Sequence, residues 1–145
     1  MNKMRKEVVI IGAVRTPIGE FKGSLKNIKA QELGSIVIKG VLAKSNFKKE
    51  DIDEVIMGQV LTAGSGQDPA RQAAINAGIP VSKPAHIINQ VCGSGLRAVI
   101  SGYQSIKLGE VKNVISGGQE NMSLSPHSIF FRDQKEILRE KLVDT

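Results

Sequence analysis

The stretch from Ile88 to Val99, INQVCGSGLRAV, joins an apolar, strand-like segment to a helix through a cysteine and a glycine-serine-glycine step. Its cysteine, Cys92, is the only cysteine in the 145 residues. The carboxyl ends of parallel strands in an α/β sheet face the crevice in which ligands bind. Because Cys92 follows a strand and lies at or just before the first helical turn, the stretch predicts a strand–helix unit that presents a thiol at this crevice.

Strand-like and helix-like patterns alternate along the rest of the chain. Continuous apolar runs predict buried strands, and apolar residues spaced three or four apart predict amphipathic helices. Strands are predicted at Val8–Ala13, Glu54–Val60, Ala85–Asn89 and Val111–Ser116, with helices around Ala30–Val41, Pro69–Ala77 and Gly95–Ile106. This alternation indicates βαβ units, so the predicted fold class is α/β with a mostly parallel sheet. Right-handed crossovers place its helices on both faces.

Two of the predicted helices carry more specific signals. Asp68 can cap the second helix, Pro69 suits its first position and Gly78 can close its end. The third helix has a stripe of small residues and a separate stripe of large apolar ones, Gly95, Ala98, Gly102 and Ser105 against Leu96, Val99, Tyr103 and Ile106. We therefore expect the third helix to be buried on more than one side. After Ser125 the sequence becomes charged and locally helical, and no further strand is expected.

Composition and charge narrow the classes of function. The formal net charge of +6 is compatible with an anionic partner. The lysines are spread along the chain without interleaved aromatic residues, and no helix-turn-helix or zinc-finger pattern occurs, so a solvated basic surface is favoured over a nucleic-acid site. One cysteine excludes an internal disulfide and suits a reducing, cytoplasmic setting. No apolar segment has the length of a membrane span, so no membrane partner is expected.

The start of a helix is a favourable position for a nucleophilic thiol. Unpaired N–H groups and the helix dipole favour an anion there, and therefore the thiolate form of Cys92. Gly93 and Gly95 leave room for a substrate, and the N–H of Cys92 can donate to a developing oxyanion. A free cysteine is also often a small buried hydrophobic residue. From the residues alone, both interpretations of Cys92 stay open.

The sequence offers no obvious base for this thiol. His86 lies within a predicted buried strand, where a packed structural role is favoured, and His127 lies in an SPHS turn. The glycine-rich steps GSGQ and SGGQ lack the Gly-Lys-Ser/Thr of a P-loop, and no G-x-G-x-x-G follows the first strand. Turn geometry is therefore the expected role of these glycines. No metal-ligand pattern is present, so we expect neither a metal site nor a bound cofactor.

Four blocks of the chain, in this order, resemble the N-terminal part of a thiolase, that is, of an acetyl-CoA acetyltransferase. They are AVRTPIGEFKGSL (13–25), GQVLTAGSGQDPARQAAINAGIP (58–80), INQVCGSGLRAV (88–99) and SGGQENMSLSP (116–126). The block around Cys92 and the GGQENMS segment are the specific ones. The resemblance implies a thiolase-type fold, in which residues 1–123 form most of the N-terminal α/β half and residues 124–145 begin the loop-domain insertion.

The resemblance also implies a chemistry. Cys92 corresponds to the nucleophile that takes the acyl group from an acyl-CoA or a 3-ketoacyl-CoA, with its own N–H as half of an oxyanion hole. The implied reaction is a reversible Claisen condensation of two acetyl-CoA to acetoacetyl-CoA, or thiolysis. The implied partners are coenzyme A thioesters, as substrates, and further copies of the chain in a homodimer or homotetramer, with GSGQDPARQ at subunit contacts. Arg15 would anchor the fold, and Glu120 would be a buried, hydrogen-bonded structural acid.

Three motifs of the resembled family do not occur in these residues. They are the histidine of Gly-His-Pro, the second cysteine of Cys-x-Gly and the asparagine of Asn-Glu-Ala-Phe. The resemblance therefore implies activity only together with these groups, supplied by the same chain or by a partner. The alternative is a truncated or split thiolase-like chain with a structural or binding role and no activity alone. In either case we expect these residues to be unstable by themselves, because they expose a face that the second half of the fold covers.

Overall fold

The computed structural model describes residues 7–128 and 143–144, and its main feature is a parallel three-stranded sheet flanked by helices. The elements in chain order are α1 (Ala30–Ser45), β1 (Glu54–Gly58), α2 (Pro69–Asn76), β2 (Ala85–Ile88), α3 (Ser94–Leu108), β3 (Val114–Gly118), β4 (His127–Ser128) and β5 (Val143–Asp144). Short 3-10 helices span Lys49–Asp51 and Met122–Leu124. The predicted α/β class and parallel sheet are confirmed.

Strand β1 lies in the centre of the sheet, with β2 on one side and β3 on the other. Val55 is in register with Ala85 of β2 and with Ile115 of β3. The chain thus moves outward through α2 and then back across β1 through α3. Because crossovers of one hand in opposite directions lie on opposite faces, α2 and α3 cover different faces of the sheet, as the alternation predicts.

The two faces of the sheet differ in what they bury. Side chains alternate along a strand, and Val55 and Met57 of β1 belong to the apolar core that includes Ile38 of α1 and Ala73 of α2. The opposite face of β1 meets α3 at Gly58, where a Cβ would lie 2.4 Å from the carbonyl carbon of Ser94. The core is therefore held between the sheet and the α1–α2 pair, while α3 rests almost directly on the strand backbones.

The residues at the two ends of α2 have the conformations that the sequence predicts. The Asp68 Oδ1 accepts hydrogen bonds from the N–H groups of Ala70 (3.2 Å) and Arg71 (3.3 Å), so Asp68 is the cap and Pro69 the first helical residue. Gly78 adopts a left-handed conformation with φ of 87° directly after the helix. Glycine takes this conformation without the steric cost that other residues meet. The predicted start of α2 at Pro69 is confirmed, and the helix ends at Asn76, one residue before the predicted Ala77.

Strand β1 ends two residues earlier than its pattern predicts. The N–H groups of Val60 and Leu61 donate to Glu120 Oε2, at 2.8 and 3.2 Å, and therefore do not continue a sheet ladder. A carboxylate from the end of β3 thus ends the neighbouring strand.

Strand β3 begins three residues later than its pattern predicts, for a similar reason. The N–H groups of Lys112 and Asn113 donate to Asp53 Oδ2, at 2.9 and 3.0 Å. These two hydrogen bonds, that from Lys112 first, hold the pKa of Asp53 below its ordinary value of 3.8, and the Lys83 ammonium at 3.6 Å lowers it further, against the opposing effect of partial burial. Side chains that accept backbone hydrogen bonds therefore fix both strand boundaries.

The prediction of a buried first strand at Val8–Ala13 is wrong. This segment belongs to no strand in the described residues, and Ile10 keeps 80% of its surface exposed. The central strand β1 already pairs on both sides, so the segment finds no ladder there. Its β-branched composition favours extended backbone, but burial depends on a partner strand that local composition does not specify.

Two expectations for the later part of the chain also need correction. Helix α3 buries its small-residue face, including Ala98 and Gly102, but Leu96 (69%) and Tyr103 (48%) are exposed, so among the described residues α3 is covered on one side only. A further pair of strands does occur after Ser125, because β4 and β5 pair antiparallel. The predicted helical segment between them lies outside the described residues.

Candidate active site

Polar side chains follow each of the three parallel strands at the carboxyl edge of the sheet. Gln59 follows β1, Asn89 follows β2, and Gln119 with Glu120 follows β3. Because parallel strands end at the same edge, these groups lie at one side of the sheet. Gln59, Gln119 and Glu120 line a cavity of about 600 Å³ there, whose lining also includes Cys92, while Asn89 lies outside this lining.

Cys92 is exposed in the structure. It lies two residues before the first residue of α3 and lines the cavity together with Val91 and Ser94. Of the two interpretations that the sequence leaves open, the small buried hydrophobic residue is therefore wrong. The geometry places the thiol beside the start of α3 and at the wall of the cavity.

Close backbone packing brings the start of α3 to the sheet edge. A Cβ on Gly58 would lie 2.4 to 2.7 Å from backbone atoms of Ser94 and Gly95, and a Cβ on Gly118 would lie 3.4 Å from the Cα of Gly95. Helix α3 and strand β1 approach this closely because Gly58 carries no side chain. A Cβ on Gly95 would lie 3.8 to 3.9 Å from the backbone of Gly117 and Gly118, which is ordinary contact, so the room that Gly95 leaves for a substrate stays a prediction.

A pair of glutamine side chains forms the buried base of this edge. The Gln119 Nε2 donates to Gln59 Oε1 at 2.9 Å, and the Gln59 Nε2 donates to the carbonyl of Leu61 at 2.9 Å. Gln59 is 2% exposed and Gln119 is 7% exposed. The Gln119 Oε1 has no hydrogen-bond partner among the described residues, and it lies against Gly34 of α1, where a Cβ would lie 1.8 Å from it.

Glu120 and Asn121 fasten the loops around the cavity. Glu120 Oε2 holds the N–H groups of Val60 and Leu61, as expected for a structural acid, while its buried Oε1 has no partner among the described residues. The carboxamide of Asn121 donates to the carbonyls of Leu25 (3.1 Å) and Ile28 (2.6 Å). Asn121 therefore ties down the loop that leads from the cavity-lining Thr16 to α1.

Arg15, His86 and His127 lie outside the lining of the Cys92 cavity. Arg15 is exposed, and its role as an anchor stays a prediction. His86 lies on β2 but is about half exposed, with its Nδ1 at 3.3 Å from Glu54 Oε1, so the expected packed position is wrong. Gly64 and Gly66 have positive φ, which is the predicted use in turns, but Gly117 and Gly118 lie in strand β3, so the same prediction is wrong for them.

Sequence reasoning missed the Gln59–Gln119 pair, and it also missed the backbone of Val91, whose φ is 50°. The glutamines had a partial signal, since Gln59 lies near the carboxyl end of one predicted parallel strand and Gln119 lies shortly after another. Nothing in the composition of the Cys92 turn marks Val91 for a left-handed conformation, because valine disfavours it.

An exposed thiol at the start of a helix, in a cavity at the carboxyl edge of a parallel sheet, defines an α/β protein with a cysteine in the position of a nucleophile. Comparison with protein families shows which class this is. The chain matches the thiolase N-terminal domain over residues 8–145, and it belongs to the thiolase family.

The similar proteins are acetyl-CoA acetyltransferases. The chain is 55% identical over 140 residues to the enzyme of Cupriavidus necator and 57% identical over 140 residues to that of Chromobacterium violaceum. Each alignment covers 96% of this chain and 36% of the relative. It is 46% identical over 145 residues to the cytosolic acetyl-CoA acetyltransferase of Rattus norvegicus, of which it also covers 36%. The chain thus spans about a third of the length of these relatives.

Within residues 7–128 and 143–144, no group of three or more His, Cys, Asp and Glu residues is arranged to hold a metal ion. None of the helices in the described part of the chain is long and apolar enough to cross a membrane.

Proposed function

We propose that the chain supplies the nucleophile of an acetyl-CoA acetyltransferase. In the first step the Cys92 thiolate attacks the thioester carbonyl of acetyl-CoA, an acetyl–cysteine thioester forms, and coenzyme A leaves as its thiolate. In the second step the carbanion of another acetyl-CoA attacks this thioester, so that acetoacetyl-CoA forms and the Cys92 thiolate is released. Thiolysis of a 3-ketoacyl-CoA is the reverse sequence.

The observation that carries this proposal is the position of Cys92. It is exposed, it lines a cavity of about 600 Å³, and it precedes α3 at the edge where ligands bind in parallel sheets. Membership of the thiolase family and the names of the relatives support the choice of acetyl-CoA. Within the proposal, the N–H of Cys92 donates to the oxyanion that forms in each attack.

The groups for proton transfer are proposed to come from outside the residues described. Neither His86 nor His127 lines the cavity, and the Glu120 carboxylate already accepts two backbone hydrogen bonds. The proposed partners are accordingly coenzyme A thioesters and further copies of the chain. A cytoplasmic location is part of the proposal and is supported by the cytosolic relative from rat.

The direct test is transfer of an acetyl group to Cys92. The intact protein is mixed with acetyl-CoA, digested, and the peptide that carries Cys92 is weighed. We expect the mass of one acetyl group on this peptide, its removal by free coenzyme A, and neither event in Cys92→Ala. Acetyl transfer that continues in the Cys92→Ala protein would overturn the proposal. A folded wild-type protein that takes no acetyl group would favour the structural or binding role.

A further inference from the structure

The residue directly before Cys92 has a strained backbone. Val91 has φ of 50°, in the left-handed region. A β-branched residue is an outlier there, because its side chain crowds the neighbouring carbonyl. Such conformations persist only where the surrounding structure fixes them, and they occur most often at functional sites. In this chain, hydrogen bonds with Ser94 and Asn89 hold Val91.

Ser94 holds Val91 from the helix side. The Ser94 hydroxyl donates to the carbonyl of Val91 at 2.5 Å and accepts the N–H of Gln90 at 2.9 Å. The Ser94 N–H also donates to the carbonyl of Val91 at 3.0 Å. Ser94 is 4% exposed, so these hydrogen bonds are shielded from water. A buried hydroxyl with both a donor and an acceptor partner fixes the direction of the peptide that follows Val91.

Asn89 holds Val91 from the strand side. Its Oδ1 accepts the N–H of Val91 at 3.0 Å, and its Nδ2 donates to the carbonyl of Val60 at 3.2 Å. Asn89 thereby links the Cys92 turn to the loop that follows the central strand β1. The two peptide groups that flank Val91 are thus fixed by two different side chains, one before and one after the cysteine.

We propose that Ser94 and Asn89 are positioning residues, which hold Val91 in its left-handed conformation and thereby direct the Cys92 thiol into the cavity. The inference rests on the proposed acyl transfer, which it deepens by naming residues that act through Cys92. Ser94 and Asn89 themselves touch neither the acyl group nor the sulfur in this account. Their effect on the reaction passes through the backbone of Val91.

The test removes the side chains of Ser94 and Asn89 in turn, and a further variant removes the backbone strain at Val91. In Ser94→Ala and Asn89→Ala we expect kcat for acyl transfer to fall about 10- to 100-fold, because a misplaced reacting group loses this much, while KM changes less than about threefold. Ser94→Thr, which keeps a hydroxyl, restores most of the rate. Ser101→Ala, on the same helix but outside the turn, is the matched control and keeps the wild-type kcat.

The second variant, Val91→Gly, separates positioning from general stability. Glycine adopts a positive φ at no steric cost. In the double variant Val91→Gly with Ser94→Ala, we expect at least half of the lost rate to return on a logarithmic scale. A merely structural Ser94 would lower the melting temperature without this recovery. The proposal is overturned if Ser94→Ala and Ser101→Ala have the same kcat, or if Val91→Gly restores nothing.

A parallel measurement keeps the two proposals apart. Alkylation of the peptide that carries Cys92 by iodoacetamide at pH 7 reports thiol presentation and needs no acetyl-CoA. If wild-type protein takes no acetyl group but Ser94→Ala alters the alkylation rate and Val91→Gly restores it, the proposed function fails and the positioning role stands. If wild-type protein is acetylated and Ser94→Ala changes neither rate, the positioning role fails alone.

Discussion

The two edges of the sheet are made from the same three strands, but they treat polar groups differently. At the amino edge, the Asp53 carboxylate accepts the N–H groups of Lys112 and Asn113 and pairs with Lys83. At the carboxyl edge, the buried oxygens Gln119 Oε1 and Glu120 Oε1 have no partner among the described residues. At the amino edge, both oxygens of the Asp53 carboxylate have a partner. At the carboxyl edge, no described residue donates a hydrogen bond to Gln119 Oε1 or Glu120 Oε1.

The backbone shows the same difference. The carboxyl edge contains the left-handed Val91 and the close approach of α3 to Gly58, and it presents the exposed thiol of Cys92. Departures from local rules concentrate at functional sites and are compensated elsewhere. The amino edge therefore serves mainly to stabilise the sheet, whereas the carboxyl edge holds groups in positions that stability alone does not require.

The largest effect should come from added volume at the carboxyl edge. In Gly58→Ala the new Cβ would meet backbone atoms of Ser94 and Gly95 at 2.4 to 2.7 Å, and backbone cannot rotate away as a side chain can. We expect the free energy of unfolding, measured with urea, to fall by about 3 kcal/mol.

The matched control lies on the neighbouring strand. In Gly117→Ala the nearest atoms are those of the flexible Met57 side chain, at 3.8 and 4.0 Å, so little change is expected. Equal losses in the two variants would contradict the view that the carboxyl edge is close-packed against α3.

An intermediate effect should follow removal of the Glu120 side chain. Glu120→Ala leaves the partly buried N–H groups of Val60 and Leu61 without an acceptor, and we expect a loss of about 2 kcal/mol in urea unfolding. Glu120→Gln keeps an acceptor oxygen, so it should lose less. If Glu120→Gln lowered the rate of acyl transfer strongly but left the free energy of unfolding almost unchanged, Glu120 would have a chemical role. That result would contradict its interpretation as a structural acid.

The smallest effect, and the one that depends on pH, is expected at the amino edge. Asp53→Ala should lower the free energy of unfolding by about 1 kcal/mol at pH 7, since the carboxylate is partly exposed to water. The pKa of Asp53 is lowered in the folded state, chiefly by the hydrogen bond from Lys112. Its contribution is therefore full above the ordinary value of 3.8 and is lost as pH falls through the folded value.

The measurement is urea unfolding of wild-type, Asp53→Ala and Asp53→Asn proteins from pH 7 downward. The gap between wild type and Asp53→Ala should narrow below pH 3.8. Asp53→Asn retains an acceptor oxygen without the charge, and its gap to wild type isolates the electrostatic part. A gap that widens as the pH falls would reverse the assigned sign.

The sequence predicts the local features of this fold better than its long-range ones. Asp68, Pro69 and Gly78 mark the ends of α2 because capping and left-handed closure depend on neighbouring residues only. The helix start beside Cys92 is predicted for the same reason. The shifted ends of β1 and β3 depend instead on Glu120 and Asp53, each about 60 positions away from the N–H groups it accepts.

The errors in the prediction share this origin. Val8–Ala13 has the composition of a strand, but composition does not name the strand with which it would pair. The left-handed Val91 is fixed by Ser94 and Asn89 against the preference of valine, so its own side chain predicts the opposite. Where tertiary hydrogen bonds determine a local conformation, the preference of the residue itself predicts the wrong conformation.

The central position of β1 has a consequence for how the protein is made. Val55 pairs with Ala85 and with Ile115, so the first strand of the sheet to leave the ribosome waits for both of its neighbours. Translation adds about 5–20 residues per second, so roughly 3 to 11 s pass between Gly58 and Val114. During this interval the most buried strand of the sheet has at least one unpaired edge. The pairing of β1 on its second side is therefore complete only after β3 has been synthesised.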